Sequence, residues 1–244
     1  RQRQMCIRDS WDSIKLLTAL FLLWGVCFGA DAYPGSEYRK QLFDYDWKFK
    51  LGDYPDASLN TYDDADWRIL DLPHDWSIEG TLDPENPMGN DGGYFPAGTG
   101  WYRKSFEIAS KHKGKKVGIY FEGVYMNSEV FINGKSVGIR PYGYSSFYYD
   151  LTPYLRYDDK NIIAVRVDNS QQKNCRWYTG TGIYRHVWLT AMNAVHIEHW
   201  GIAITTPEVS EERAVVQIKI ILRNETSSDR QITLTTKLTK GNDE

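Results

Sequence analysis

Cysteine is nearly absent: the 244 residues contain three, at Cys6, Cys27 and Cys175. Two of them fall in an amino-terminal region that reads as a leader, so Cys175 stands alone in the remaining chain. That excludes an internal disulfide framework and a Cys-based zinc site there. Charge of one sign is also missing. Lys and Arg number 29 against 32 Asp and Glu, a net charge of -3 with no block of like charge. A nucleic-acid or polybasic membrane surface is therefore not expected. Long Ala/Leu/Glu/Lys stretches that would make a helical bundle are lacking too.

The single long apolar run lies near the start, from Leu16 to Phe28 behind Lys15, and ends in Gly29-Ala30-Asp31-Ala32. A short apolar segment followed by an A-x-A exit is the pattern of a cleaved secretory signal, with the mature chain starting near Tyr33. The run falls short of the ~20 residues a membrane span needs, so no span is expected after cleavage. Cys27 follows Trp24-Gly25-Val26 and does not sit in a lipobox. Residues 1–12 begin without Met and read as a non-native or scar segment, and 13–32 as the signal peptide. A secreted or periplasmic location is expected.

Aromatics, by contrast, are abundant, with 17 Tyr and 9 Trp. Beyond the leader, short period-2 runs alternate with turn residues, which predicts strands. Val117, Ile119 and Phe121 form one run, and Ile163, Val165 and Val167 another. Asn133-Gly134 between Val130–Ile132 and Ser136–Gly138 predicts a type I′ hairpin, because both central residues need positive φ. Further strands are expected at 47–51, 101–108, 183–190 and 196–205. The pattern predicts an all-β fold: a jelly-roll β-sandwich over 33–194, then a truncated immunoglobulin-like β-sandwich over 195–244. In the second part Val216, Ile218, Ile220 and Leu222 alternate, and Ile232 with Leu234 suggest one more strand before the chain stops.

Residues 73–100 form a long Pro/Gly/Asp/Asn-rich loop carrying Trp76, Tyr94 and Phe95, a composition expected of an ordered functional loop. Gly98-Thr99-Gly100-Trp101-Tyr102-Arg103 is echoed by Gly180-Thr181-Gly182-Ile183-Tyr184-Arg185, each expected to lead from a loop into a strand. Arg stands where a dinucleotide fingerprint needs its third Gly, so nucleotide binding is excluded and the glycines read as tight bends. Just before the second echo, Asn174-Cys175-Arg176-Trp177-Tyr178 gathers an amide, a guanidinium and two rings. Such a set suits sugar hydroxyls and the C–H face of a pyranose. It equally suits an interface plug, with Trp177 buried in a neighbouring domain and Arg176 ion-paired.

No metal or cofactor site is predicted. His196 and His199 are three apart, which on a strand points them to opposite faces. They read as surface or packing residues. No G-x-S-x-G elbow occurs, and Cys175 lacks a paired base and reads as inert. Asn224-Glu225-Thr226 matches a glycosylation acceptor, relevant only in a eukaryotic secretory route. Nothing selects a catalytic carboxylate pair, so no catalytic residue is assigned in this chain.

Taken in order, "LPHDWSI", "GTGWYRKSF", "FEGVYMNSEVFINGKSVG", "YDLTPYL", "NIIAVRVDN" and "RWYTGTGIYRHVWL" resemble the amino-terminal sugar-binding domain of glycoside hydrolase family 2 across residues 38–192. The resemblance implies a retaining exo-glycosidase, most like β-galactosidases of polysaccharide-degrading gut-type bacteria. β-Glucuronidase and β-mannosidase remain alternatives set by barrel residues. It also implies a downstream TIM barrel bearing both catalytic glutamates, with loops of the first sandwich reaching over the barrel mouth. Asn174, Arg176 and Trp177 then become carbohydrate-binding candidates, as do Asp75 and Asp91 in the long loop. Well-studied β-galactosidases have an Asp where this chain has Asn174, which removes the carboxylate of a metal-assisted contact. The implied partners are a β-galactoside-type oligosaccharide or polysaccharide and the downstream barrel, with self-association open. A free-standing carbohydrate-binding module and a structural or adhesion sandwich stay open as rival functions. The fragment by itself is expected to be inactive.

Overall fold

In the computed structural model, residues 40–239 are described. The expected scar segment, signal peptide and mature start near Tyr33 lie outside them. Twelve strands are present: β1 (Gln41–Leu42), β2 (Trp47–Leu51), β3 (Arg68–Leu70), β4 (Gly98–Glu107), β5 (Lys116–Phe121), β6 (Ser128–Ile132), β7 (Lys135–Arg140), β8 (Phe147–Asp150), β9 (Lys160–Asn169), β10 (Val187–Met192), β11 (Val195–Val209) and β12 (Ala214–Asn224). A four-stranded sheet in the order β1-β10-β5-β8 packs on a six-stranded sheet in the order β3-β2-β4-β9-β6-β7, and β11 pairs with β12 separately. The protein is the expected all-β sandwich, its strands paired antiparallel throughout.

The period-2 rule explains how the core is filled. Ile163, Val165 and Val167 of β9 meet Ile119 and Phe121 of β5, and Phe49, Tyr102, Val130, Ile132, Phe147 and Val187 complete the layer between the sheets. Phe121 stacks on Phe147 with centroids 4.9 Å apart. Each such fully buried side chain contributes about 1.5–3 kcal/mol. The opposite face of the six-stranded sheet is buried as well. Ala164 and Trp101 meet Ala57 and Trp67 from the segment that crosses over it, so β4 and β9 are apolar on both faces.

One glycine permits close packing in the smaller sheet. A Cβ on Gly118 would lie 1.9 Å from the Tyr148 hydroxyl, so only Gly lets β8 lie against β5 at this register. The Asn133-Gly134 hairpin forms as expected, with φ of 50° and 80°, and joins β6 to β7.

Two expectations change, and three short strands go unread. The strand expected from Ile183 begins only at Val187. Gly182, at φ 106°, leaves room that a Cβ would take from the Tyr102 hydroxyl and the His74 carbonyl. Ile183 then drops into the core fully buried. The second echo is thus a core-plugging loop with one bridge to Tyr125, not a strand entry. Ile232 and Leu234 form no strand among the described residues; both are exposed and no neighbouring strand pairs with them. Finally, β1, β3 and β8 span two, three and four residues, too few for alternation to register.

Candidate functional site

Two loops meet at one rim of the sandwich: residues 71–97 between β3 and β4, and 170–186 between β9 and β10. The first is held by its own apolar residues. Leu72, Trp76 and Met88 are buried, and Trp76 stacks on Phe49 with centroids 5.5 Å apart. The absence of regular structure therefore does not leave the loop unsupported.

Polar side chains then tie the two loops together. Asn169, at the end of β9, donates Nδ2 to Thr181 Oγ1 at 3.0 Å. Ser77 Oγ lies 2.6 Å from the Pro96 carbonyl and 2.7 Å from Thr181 Oγ1. The single Ser77 proton goes to the carbonyl, so the Thr181 hydroxyl donates to Ser77. This relay is buried, and each member has its partner, which fixes the loops relative to one another.

Asp75 sits beside that relay. The Ser77 amide donates to its Oδ1 at 3.0 Å, and the Tyr178 hydroxyl donates to Oδ2 across 103 residues of sequence. Burial pushes the carboxyl above the usual carboxylate range, although the Tyr178 hydroxyl and the Ser77, Thr181 and Ile78 amides oppose the shift. Burial and the facing carboxylate together raise the Tyr178 phenol, so its proton stays in place as a donor. Phe95 covers Tyr178 with centroids 4.6 Å apart.

His74 precedes Asp75 and is buried. Arg68 Nη2 lies 2.8 Å from its Nε2, and since Arg only donates, Nε2 accepts and Nδ1–H donates to the Tyr102 hydroxyl at 2.7 Å. Burial lowers the His74 pKa, with Glu79 opposing and Arg68 assisting, which agrees with a neutral ring. His74 thus shapes the turn that presents Asp75.

The remaining candidates fall at different distances from this centre. Asn174 is exposed, and its Nδ2 donates to Asn169 Oδ1 at 3.1 Å, which joins it to the relay. Trp177 is 59% exposed, and its Nε1 donates to the Tyr144 hydroxyl at 2.9 Å. Arg176 is exposed and pairs with no carboxylate among the described residues, and the plug alternative, which buries Trp177 in a neighbouring domain, stays open beside the sugar reading. Asp91 lies exposed on the 3-10 turn Asn90–Gly92. That turn touches the second loop where Lys173 Nζ donates to Asn90 Oδ1 at 3.1 Å. No hydrogen bond or ion pair joins Asp91 itself to Asn174, Arg176 or Trp177. The structure therefore brings Asp75, Asn174 and Trp177 to one rim and leaves Asp91 at its edge.

Asn169, Ser77 and Thr181 were not singled out as site residues from sequence, although all three lie within quoted motifs, and Tyr178 was read only as a ring of the Asn174–Tyr178 cluster. Their pairings span up to 104 residues, and no local pattern reports them. The rim presents a part-buried acceptor, an amide, an exposed guanidinium and an exposed ring. That set can bind hydroxyls and an apolar C–H face.

Residues 43–193 match the family described as glycosyl hydrolases family 2, sugar binding domain. The β-galactosidase BoGH2A of Bacteroides ovatus is 51% identical over 203 residues, covering 83% of this chain and 24% of its own length. A β-glucuronidase of Formosa agariphila is 34% identical over 229 residues, 85% of this chain and 23% of that protein. Among solved structures, a β-glycosidase from Bacteroides vulgatus superposes with a TM-score of 0.74 at 49% identity, covering 78% of this chain and 25% of that one. The chain spans about a quarter of the length of the curated relatives it matches, 24% and 23%. The match begins just before β2 and ends just after β10, taking in both sheets and both rim loops, and on that ground the chain belongs to glycoside hydrolase family 2, as its amino-terminal sugar-binding domain.

Proposed function

We propose that this chain is the front of a secreted retaining β-galactosidase and forms one wall of the pocket for the terminal sugar. The observation that carries the reading is the Asp75–Tyr178 contact. It holds a carboxylate at a rim whose other exposed groups are Asn174, Arg176 and Trp177. Asp75 accepts a sugar hydroxyl, Asn174 and Arg176 supply donors, and Trp177 packs the C–H face of the ring. The retaining reaction needs two carboxyls about 5 Å apart on a rigid scaffold, and those belong to the downstream barrel. This chain binds and orients the sugar, and its isolated form does not hydrolyse.

β-Galactosidase is preferred over β-glucuronidase because the 51% identical relative carries that name over 203 residues, against 46% over 176 residues for a putative β-glucuronidase of Formosa agariphila. The test is made on the parent enzyme spanning this chain and its barrel. Asp75→Ala is expected to raise KM for a galactoside about tenfold, the loss of one charge-assisted hydrogen bond, with a smaller effect on kcat. An unchanged KM removes Asp75 from the sugar site. Preference for a glucuronide over a galactoside would replace the named activity.

A further inference from the structure

Beside the Asp75 centre, three large rings stand in solvent. Tyr142 is 60% exposed, Tyr144 45% and Trp177 59%. Rings scattered singly over a surface need no explanation, but a contiguous group on one rim does. Tyr144 packs edge-on to Tyr142 with centroids 5.7 Å apart. Its hydroxyl receives Trp177 Nε1–H at 2.9 Å.

The ledge is also rigid. Tyr144 rests on Tyr125, centroids 5.1 Å apart, and Tyr125 is buried. The loop between β7 and β8 is pinned where the Tyr184 hydroxyl donates to the Gly143 carbonyl at 2.8 Å. Gly143 is required for that fit, because a Cβ there would lie 2.3 Å from Tyr125 Cδ2. Ring faces are thus fixed before any ligand arrives, which lowers the ordering cost of binding.

We propose that Tyr142 and Tyr144, continuing the surface that Trp177 begins, form a ledge for the second sugar of a β-linked oligosaccharide, next to the terminal-sugar pocket. The inference rests on the reading of the Asp75–Trp177 rim as that pocket, and it adds a preference for chains over single sugars. Chemistry favours a glycan over a protein partner. Residues 141–146 and 174–178 contain no Leu, Ile, Val or Met and present ring faces edged by hydroxyls, an amide and a guanidinium. That is the complement of a pyranose, with its C–H face and equatorial hydroxyls. The aliphatic surface that would suit a protein lies elsewhere, on β11 and β12, where Ile202, Ile204 and Val216 are exposed. Continuity points the same way, since Trp177, where the ledge begins, is bonded in sequence to Tyr178, which holds Asp75.

The test measures binding of galactose and of β-1,4-galactotetraose, by calorimetric titration, to the parent enzyme spanning this chain and its barrel, inactivated at a barrel glutamate. Wild type, Tyr142→Ala, Tyr142→Phe and Trp177→Ala are compared, each first shown to unfold cooperatively at the wild-type temperature. Tetraose is expected to bind about tenfold tighter than galactose, the gain of one or two ring contacts. Tyr142→Ala should abolish that gain and leave galactose binding unchanged, while Tyr142→Phe keeps it. Equal affinity for both sugars overturns the ledge and leaves the terminal pocket standing. Tetraose binding that depends on Tyr142 without any galactose binding supports the ledge and removes the pocket. Binding of neither sugar overturns both. A concentration-dependent dimer abolished by Tyr142→Ala, with no response to glycan, would make the ledge a protein interface and end the proposal.

Discussion

Arg103 is 1% exposed and still carries its charge, because everything it needs is within reach. Its Nε donates to Asp64 Oδ2 at 2.8 Å, and Nη1 donates to the Ala57 and Leu59 carbonyls, the latter at 3.1 Å. These bonds pin the crossing segment over Trp101 and close the outer apolar layer. Arg185, at the matching position of the echo, is exposed and lies 3.8 Å from Glu122. The two arginines look alike in sequence, and only tertiary context separates them. Arg103→Ala should cost about 3 kcal/mol in urea unfolding, since it strands two carbonyls and half of the Asp64 contacts. Arg185→Ala should cost under about 0.5 kcal/mol, as exposed pairs do. Equal costs would show that the crossing segment is not held by Arg103. His74 gives a pH dependence of known sign. Burial holds its folded pKa below the ordinary value of about 6.5, so folding favours the neutral ring. The stability it contributes is complete above about pH 6.5 and is lost as pH falls through the folded value. The difference in unfolding free energy between wild type and His74→Gln should therefore shrink from pH 7.5 to pH 5. A constant difference would mean that His74 is not neutral in the fold.

At the scale of elements, what could be read locally was what obeys local geometry. The Asn133-Gly134 turn is fixed by backbone conformation, β2 and β6 follow strict alternation, and β5 and β9 keep a period-2 apolar inner face. Strands of two to four residues gave no period, and Gly180–Arg185 looked like Gly98–Arg103 because glycine spacing does not record what lies across the rim. Even the turn holds more than its sequence shows. Asn133 Nδ2 donates to the Tyr154 carbonyl at 2.9 Å and to Asn161 Oδ1 at 2.8 Å, and its Oδ1 accepts the Ile162 amide at 3.0 Å. Two substitutions separate the contributions. Gly134→Ala, at φ 80°, should cost about 1–2 kcal/mol of backbone strain. Asn133→Gly keeps the conformation and should still cost about 1–2 kcal/mol through the lost bonds, since Asn161 Oδ1 keeps the Arg156 amide at 2.8 Å while the Ile162 amide loses the Asn133 oxygen. If Asn133→Gly is neutral in thermal unfolding, the turn acts through its backbone alone.

For the molecule as a whole, the family was legible because six motifs kept their order, whereas the site was not, since its contacts join residues about a hundred positions apart. The same contrast bears on β11 and β12. They form a two-stranded ribbon whose exposed faces include Ile202, Ile204, Val209 and Val216. An isolated two-stranded sheet is marginal in water. It touches the sandwich through His199, whose ring stacks on Tyr148 at 4.5 Å, and through Lys116, which pairs with Asp150 at 2.9 Å and Glu225 at 3.0 Å. None of the residues between the two large sheets comes from the ribbon. The sandwich should therefore fold without it. A chain ending at Asn193 should unfold cooperatively within about 4 °C of the full chain, the shift of about 1 kcal/mol in a domain of this size. Hydrogen exchange in the full chain should be slowest in β4 and β9 and orders of magnitude faster in β11 and β12. Loss of cooperative unfolding on removing 194–244, or uniform protection across all twelve strands, would make the ribbon part of the sandwich's folding unit, and the boundary between the two β patterns would lose its energetic meaning.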